Sequence, residues 1–202
     1  MRAIFGLQLG AAGTIERGDR TVAIGRRRAA QSVRDRLGYL SEDRAGEGLA
    51  LPMSVTDNLC ATRPALSMRR LGLLDVAAQT AQARRWMTEL AIRAPSPGLP
   101  VRALSGGNQQ KVALGRLLHQ QAEVLLLDEP TRGVDVGSKA EIYEIVIARA
   151  AAGCAVLIVS SYLPELFGLC DRIAVMCRGR LSDARPVSAW TPEAVMASAV
   201  GG

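Results

Sequence analysis

The chain has 202 residues, the size of one ordinary domain with at most a small subdomain, and 49% of them are hydrophobic, enough to build a sizeable core. This composition excludes a disordered protein. The net charge of +6 suggests a nucleic-acid or membrane-surface partner, but the basic residues are scattered apart from Arg26 to Arg28, which favours a solvated face. The sequence predicts neither a membrane span nor a secretion signal.

The first half of the chain predicts short elements followed by a helical part. The expected elements are the last turns of a helix (1–8), a β-hairpin (13–24), a short helix (28–36), a strand (37–40), a Gly-rich loop (42–52), helical turns (54–61) and an amphipathic helix (75–92). The stretch 54–103 is predicted to be a small helical subdomain inserted in a larger α/β body.

The second half alternates between apolar strands and helices. The expected order is a strand (123–128), a helix (138–152), a strand (154–159), a helix (162–169), a strand (172–177) and a terminal helix from near Thr191. Strands that are apolar throughout and separated by helices predict a parallel sheet covered on both faces. His119 is expected to be solvated at the end of the helix that precedes the first of these strands.

The segment LSGGNQQK (104–111) stands directly before a predicted helix. Ser105 is suited to cap that helix, and the two glycines after it let an anion approach the backbone N–H groups at the positive end of the helix dipole. The segment therefore predicts a phosphate-binding turn. From these residues alone, an ordinary Ser-Gly-Gly turn before a helix remains an alternative.

Two adjacent carboxylates, Asp128 and Glu129, follow the apolar run VLLL. Ligands of open α/β sheets bind at the carboxyl ends of the strands. There Asp128 could hold Mg²⁺ through water, and Glu129 could act as a base on an attacking water. Two acids that merely end a strand are the alternative, and the order of an SGG-helix, an apolar strand, DEP and then GVDVG (133–137) argues against it.

With its motifs in this order, the chain resembles the ABC-type ATPases, in particular the C-terminal nucleotide-binding half of the two-half ATPases of bacterial ribose, xylose and galactose importers. The segments that carry the resemblance are LSGGNQQK (104–111), LLLDEPTRGVDVGSKAEIY (125–143) and VSSYLPEL (159–166). It implies an α/β fold of the P-loop NTPase type, with a parallel sheet core and an inserted helical subdomain. It also implies ATP and Mg²⁺ as cofactors.

The resemblance covers the whole chain and implies a partial ABC ATPase domain over residues 1–202. Its expected parts are a β-rich part with the Q-loop region (1–53), the helical subdomain (54–103), the signature, Walker B, D-loop and switch region (104–182) and a C-terminal helix and tail (183–202).

Several site residues follow from the match to the family's motifs. Ser105, Gly106 and Gly107, followed by Asn108 and Gln109, match the signature that touches the γ-phosphate of an ATP held mainly by the partner half. The resemblance therefore implies that these residues bind nucleotide across a dimer interface.

The acidic motif and the loop after it also have counterparts in the family. Asp128 matches the Walker B aspartate, and Glu129 matches the catalytic base. The loop from Gly133 to Gly137, with Asp135 as its aspartate, matches the segment that contacts the opposite half.

Two positions differ from most of the family. Glu42 falls where a glutamine usually senses Mg²⁺ and the membrane subunit, and Ser161 falls where most members carry the switch histidine. A glutamate can still bind Mg²⁺ or its water, although it adds negative charge near a triphosphate. A serine hydroxyl cannot take up charge as an imidazole does.

The P-loop motif G-x-x-x-x-G-K-[ST] does not occur in the sequence, because Gly6, Gly10 and Gly13 have neither its spacing nor a lysine after them. In the family, the P-loop and its strand precede the helix that residues 1–8 resemble. The chain is therefore expected to lack the P-loop strand and to begin just after it. The absence implies that the chain binds ATP poorly by itself and that sheet edges are left unpaired.

The implied function is that of an ATP-binding and ATP-hydrolysing component of a bacterial ABC importer for a monosaccharide or similar small polar solute. It is an ABC-type ATPase only within a complete assembly, since the chain alone would merely donate its signature to a partner's ATP. The expected partners are a second ABC half, membrane permease subunits and, indirectly, a solute-binding protein, with no nucleic acid. The expected location is cytoplasmic, on the inner face of the cell membrane.

Two other functions remain open on the sequence. A degenerate, non-catalytic ABC half could act as an interaction module, although the presence of Glu129 argues mildly against it. A soluble ABC ATPase that acts on nucleic acid would suit the positive charge but lacks the coiled-coil or zinc inserts of such proteins. Arg44 and Arg132 flank the acidic motifs, and either a phosphate or interface role or surface pairing with carboxylates fits them.

Overall fold

The computed structural model describes residues 1–8, 10–18, 20–62 and 73–201. The helices in these ranges are α1 (Arg2–Phe5), α2 (Ala29–Arg34), α3 (Val55–Cys60), α4 (Val76–Glu89), α5 (Gly106–His119), α6 (Val136–Ala151), α7 (Leu163–Leu169) and α8 (Pro192–Val200). The strands are β1 (Thr14–Arg17), β2 (Arg20–Ala23), β3 (Leu37–Leu40), β4 (Val124–Asp128), β5 (Ala155–Val159), β6 (Arg172–Ile173), β7 (Met176–Cys177), β8 (Arg180–Leu181) and β9 (Arg185–Pro186).

The described chain forms two compact units, Met1–Val159 and Ser160–Gly202. The first unit is built on a parallel sheet in the order β3-β4-β5, in which Leu37 lies opposite Val124 and Val124 lies opposite Ala155. Helices α5 and α6 make the connections that lead into β4 and β5. The predicted α/β fold with a parallel core sheet is confirmed. An antiparallel hairpin, β1-β2, confirms the one predicted at 13–24.

The core of the first unit lies where the sheet meets α5. All four residues of β3 are buried, as are Leu125, Leu126 and Leu127 of β4, and each such leucine contributes roughly 1.5–3 kcal/mol. Gly38 lets α5 approach closely, since a Cβ atom there would lie 3.2 Å from the Cβ atom of Leu117. β3 and the three leucines of β4 are therefore covered on both faces of the sheet.

Two predictions for the later strands are wrong. On β5, Leu157 and Val159 are 46% and 47% exposed, so one face of this strand is not covered by the described residues. The strand expected at 172–177 is two short strands, β6 and β7, which pair antiparallel with β9 and β8. The break falls at Val175, whose amide donates to the Ser182 hydroxyl and whose carbonyl accepts from the Ser182 amide.

Two predictions for polar side chains are also wrong. Arg27, one of the basic residues that were together expected to form a solvated face, is buried because its guanidinium donates to Ser32 and forms an ion pair with Asp35. His119 is only 2% exposed, because its Nδ1 accepts a hydrogen bond from the Trp86 indole at 3.2 Å.

The helical part at 54–103 belongs to the first unit and shares its core. Ser54 begins α3 with a capping box, in which Asp57 bonds back to the Ser54 amide, and Asp75 caps α4. Residues 63–72 of the predicted helical subdomain lie outside the described residues. The boundaries at 54 and 103 stay predictions.

The second unit has its own small core. Ile173, Val175 and Val195 are buried together, and the Trp190 indole donates to the Ile173 carbonyl at 3.1 Å. None of the helices among the described residues is both long and apolar enough to cross a lipid bilayer.

Candidate functional site

The carboxyl ends of β3 and β4 open onto a cleft of about 630 Å³ in the first unit. The residues that line it are Arg2, Tyr39, Ser41, Glu42, Asp43, Arg44, Glu47, Asp128, Arg132 and Gly133. This is the edge of the sheet where open α/β folds bind ligands. Glu42 and Asp128, predicted as metal-site residues 86 positions apart in the sequence, therefore line one cleft.

Asp128 ends β4, and its carboxylate accepts a hydrogen bond from the Tyr39 hydroxyl at 3.2 Å. Burial raises the pKa of Tyr39, with a smaller contribution from the nearby Asp128 charge, so the phenol remains a proton donor at neutral pH. On the other side, Glu42 forms an ion pair with Arg132. Arg132 thus pairs with a carboxylate, one of the two roles that the sequence left open for it.

Sequence analysis did not single out Glu47, which also lines the cleft. Its carboxylate accepts from the Ser41 hydroxyl at 3.0 Å and forms an ion pair with Arg2. The hydrogen bond from Arg2 is the main cause that lowers the pKa of Glu47. Ser41 could have been found from its position directly after β3, whereas Arg2 is brought near only by the fold.

Glu129 has an uncommon backbone conformation. Its φ of 47° lies in the left-handed region, which costs a non-glycine residue about 1–3 kcal/mol, and its amide donates to the Val159 carbonyl at 2.8 Å. Glu129 is half-buried next to Asp128, although it is not among the described residues that line the cleft.

The amino end of α5 has the predicted cap. The Ser105 hydroxyl accepts from the Asn108 amide at 3.4 Å, so the N–H groups of Gly106 and Gly107 lie in a first turn where the helix supplies no acceptor. The side chains of Asn108 and Gln109 brace this turn, since Asn108 donates to Ser105 at 3.0 Å and Gln109 donates to the Leu104 carbonyl at 3.1 Å.

The structure brings the GVDVG loop against this first turn. Asp135 caps α6 by accepting from the Ser138 amide at 3.0 Å, and this bond is the main cause that lowers the pKa of Asp135. Gly107 lies so close to α6 that a Cβ atom on it would be 2.2 Å from the Ser138 hydroxyl. Gly133, at φ +67°, adopts a backbone conformation that favours glycine, and Gly137 lies in the first turn of α6.

Arg44 connects the cleft with α5. It is the first residue of a π-helical turn, Arg44–Gly48, that follows β3, and its Nη1 donates to the Gly106 carbonyl at 2.5 Å. Burial lowers the pKa of this guanidinium. Among the residues that the structure describes, Arg44 therefore bonds to a backbone carbonyl rather than to a carboxylate.

Ser161, which the sequence predicts at the switch position, belongs to the second unit. It lies between β5 and α7, beside a turn in which the Tyr162 amide donates to the Ser160 hydroxyl at 3.1 Å.

The fold is that of an ATP-binding cassette. The ABC transporter family matches over residues 1–132, and the chain belongs to this family. It is 45% identical over 206 residues to the ribose import ATP-binding protein RbsA 1 of Burkholderia ambifaria, a match that covers 99% of this chain and 39% of that protein. The chain thus spans about two fifths of the length of this relative.

Solved structures show the same fold. A nucleotide-free ATP-binding cassette from an ABC transporter superposes with a TM-score of 0.74 at 18% identity, over 96% of this chain and 79% of the other. A dimeric ATP-binding cassette in a post-hydrolysis state, bound to ADP and Pi, also gives a TM-score of 0.74, at 17% identity, over 92% of this chain and 78% of the other.

Proposed function

We propose that this chain is an ATP-binding component of a bacterial ABC importer for a monosaccharide or similar small polar solute. It corresponds to the C-terminal nucleotide-binding half of the two-half importer ATPases, and it contributes the amino end of α5 to an ATP held mainly by a partner half. The match to a ribose import ATP-binding protein supports the class of solute. The motif LSGGNQQK supports the mode of nucleotide binding.

The amino end of α5 is the observation that carries this proposal. Ser105 caps the helix without a negative charge, and Gly106 and Gly107 carry no side chain that would block an approaching phosphate. The first turn of a helix binds anions because its N–H groups and the helix dipole both favour negative charge. Ser105, Gly106 and Gly107 thus contact the γ-phosphate, and Asn108 and Gln109 hold the turn in shape.

The chain alone is expected to bind ATP weakly. Its 202 residues contain no G-x-x-x-x-G-K-[ST] motif, and each charge-assisted contact to phosphate is worth roughly 1.5–3 kcal/mol. The absence of three or four such contacts lowers the binding free energy of ATP by about 5–10 kcal/mol, which is about four to seven orders of magnitude in affinity.

Asp128 and Glu42 fit a magnesium ion. Mg²⁺ prefers oxygen ligands, keeps several waters and needs only one or two carboxylates, and these two carboxylates line one cleft. When bound, Mg²⁺ neutralises charge on the phosphates.

Glu129 is the proposed base that takes a proton from the attacking water. Ser161, at the switch position, can bind a phosphate oxygen through its hydroxyl but cannot carry positive charge as a histidine does.

The proposed partners follow from the same assignment. Gly133, Asp135 and Gly137 contact a second ABC half, and the segment from Glu42 to Met53 transmits closure to membrane permease subunits. A solute-binding protein acts on these subunits, and no nucleic acid is involved. The chain then lies on the cytoplasmic side, against the inner face of the cell membrane.

Binding of a fluorescent ATP analogue with Mg²⁺ tests the proposal. We expect no binding to the chain alone, binding to a complete ABC half with its own P-loop, and tighter binding to the mixture. Ser105→Arg should abolish the tightening, because it fills the space in front of the first turn of α5. Thr191→Arg is the matched control, since it makes the same kind of change at the cap of α8. Micromolar binding by the chain alone, or a mixture no tighter than the partner half, would reject the proposal.

A further inference from the structure

Arg44 touches two of the segments that form the candidate site, and the sequence left its role open between a phosphate or interface contact and surface pairing with a carboxylate. Its Nη1 donates to the Gly106 carbonyl at 2.5 Å. A Cβ atom on Gly133 would lie 3.3 Å from its Nη2, and a Cβ atom on Gly106 would lie 3.0 Å from the Gly133 carbonyl oxygen. One guanidinium therefore packs against both the first residue of α5 and the GVDVG loop.

The position of Arg44 is fixed from the opposite side by the turn in which it lies. The Asp43 side chain accepts from the Gly46 amide at 2.8 Å, and the Leu49 amide donates to the Arg44 carbonyl at 2.8 Å. Glu47 of the same turn is held by Ser41 and Arg2. A displacement of this turn would thus be passed to the amino end of α5.

The bond from Arg44 reaches the Gly106 carbonyl and does not occupy the N–H groups of the first turn of α5. A carbonyl oxygen has two lone pairs, so Gly106 can accept from Arg44 in addition to its helical donor. Among the described residues, Arg44 makes no ion pair with a carboxylate. Its half-buried charge instead strengthens the positive field at the end of α5 that meets an anion.

We propose that Arg44 is a positioning residue that holds the first turn of α5 in the geometry that meets a nucleotide phosphate, and that links this turn to the Glu42 segment. The proposal rests on the proposed function, in which α5 binds a partner's ATP. It predicts that Arg44 acts only through α5, so that its effect on nucleotide binding becomes smaller once the cap of α5 is already weakened.

The binding experiment described above, repeated with Arg44 variants, tests this link. Arg44→Met should reduce the tightening in the mixture about tenfold, which corresponds to about 1.4 kcal/mol. Arg44→Lys, which keeps the charge but not the planar fork, should fall between Met and the wild type. Arg102→Met is the matched control, because Arg102 is an exposed arginine three residues before Ser105, and its loss should change the tightening little.

A double-mutant cycle separates positioning from a general weakening of the fold. In a Ser105→Ala background, where the cap is weakened but the end of α5 is not blocked, Arg44→Met should cause a smaller further loss than in the wild type, because both changes loosen the same turn. If the two losses add, Arg44 acts elsewhere and the proposal is overturned. Wild-type tightening in Arg44→Met would overturn it as well.

Hydrogen–deuterium exchange gives a readout that needs no nucleotide. Amides of the segment 106–110 should exchange about tenfold faster in Arg44→Met than in the wild type or in Arg102→Met, while those of β4 stay unchanged. If the wild-type chain fails to tighten ATP binding, the proposed function falls, yet faster exchange still shows that Arg44 holds α5. If exchange is unchanged, the positioning role falls whatever the nucleotide result.

Discussion

The amino ends of α5 and α6 are built from similar parts, but only α6 carries its own negative charge. Each helix is capped by a side chain that accepts from the amide three residues later, Ser105 from Asn108 at 3.4 Å and Asp135 from Ser138 at 3.0 Å. Each also has glycine in its first turn. Asp135 places a carboxylate at the positive end of α6, whereas the neutral Ser105 leaves the positive end of α5 for another anion.

The two helix starts are also in direct contact, which gives them different tasks. Gly107 of α5 lies against Ser138 of α6, and Lys111 of α5 forms an ion pair with Glu141 of α6 at 2.8 Å. The cap of α6 already supplies a negative charge, so α6 serves to support the start of α5. The amino end of α5 remains suited to an anionic ligand. Substitutions that change the contacts between α5 and α6, or the charge of their caps, test this comparison.

The largest expected effect comes from the ion pair between the two helices. Lys111 is 1% exposed, whereas the Glu141 side chain is 31% exposed. Glu141→Leu would leave a buried ammonium with only the Ala91 carbonyl, and we expect a loss of about 3 kcal/mol in the free energy of unfolding. Lys111→Met leaves Glu141 in contact with water and Arg93, and should cost only about 1–2 kcal/mol.

Urea unfolding of the two single variants and the double variant measures this asymmetry. The double variant should be more stable than Glu141→Leu, because it no longer buries an unpaired charge. Equal losses in the two single variants would show that the burial of Lys111 does not govern the energy of the pair.

A glycine comparison gives the next largest effect. Gly107→Ala would force α5 and α6 apart, since its Cβ atom would lie 2.2 Å from the Ser138 hydroxyl, and should cost about 1–3 kcal/mol. Gly137→Ala is the matched control in the first turn of α6, where the nearest atom is 3.5 Å away. This change should stabilise the chain by about 0.5–1 kcal/mol. If both substitutions shift the midpoint of thermal unfolding in the same direction, the close contact between Gly107 and Ser138 is contradicted.

Local patterns predicted much of this fold. Strands were predicted at 37–40 and 123–128, and the apolar strands of the second half predicted a parallel sheet, because strands buried on both faces need no alternation. The helix starts at Ser105 and Ser54 could be predicted from their capping chemistry, which involves residues only three positions apart. Asp128 could be placed at the sheet edge because it directly follows the strand.

Contacts between distant residues explain what the sequence did not predict. His119 is buried because of Trp86, which lies 33 residues earlier, and Arg44 bonds to Gly106 across 62 residues. Neither pair has a local signal. The strand expected at 172–177 fails for a similar reason, since Val175 bonds to Ser182 after the chain has turned back.

The smallest expected effect concerns the charge that distinguishes the two caps. The pKa of Asp135 is lowered from its ordinary value of 3.8 in the folded chain, chiefly by the hydrogen bond from the Ser138 amide. A carboxyl group with a lowered folded pKa stabilises the fold fully above its unfolded pKa and loses that contribution as the pH falls through the folded pKa. The difference between the urea unfolding midpoints of the wild type and Asp135→Asn should therefore be constant near neutral pH and should become smaller below pH 3.8.

Ser105→Ala is the matched control for this titration, because the serine cap of α5 carries no ionisable group. It should cost about 1 kcal/mol, by an amount that does not change across the same pH range. If the difference in urea midpoint between the wild type and Asp135→Asn stays the same in acid, the carboxylate charge contributes nothing to the stability of the fold at the start of α6. The two helix starts would then differ only in the shape of their caps, and the proposed preference of α5 for an anion would have to come from Arg44 and the glycines rather than from its uncharged cap.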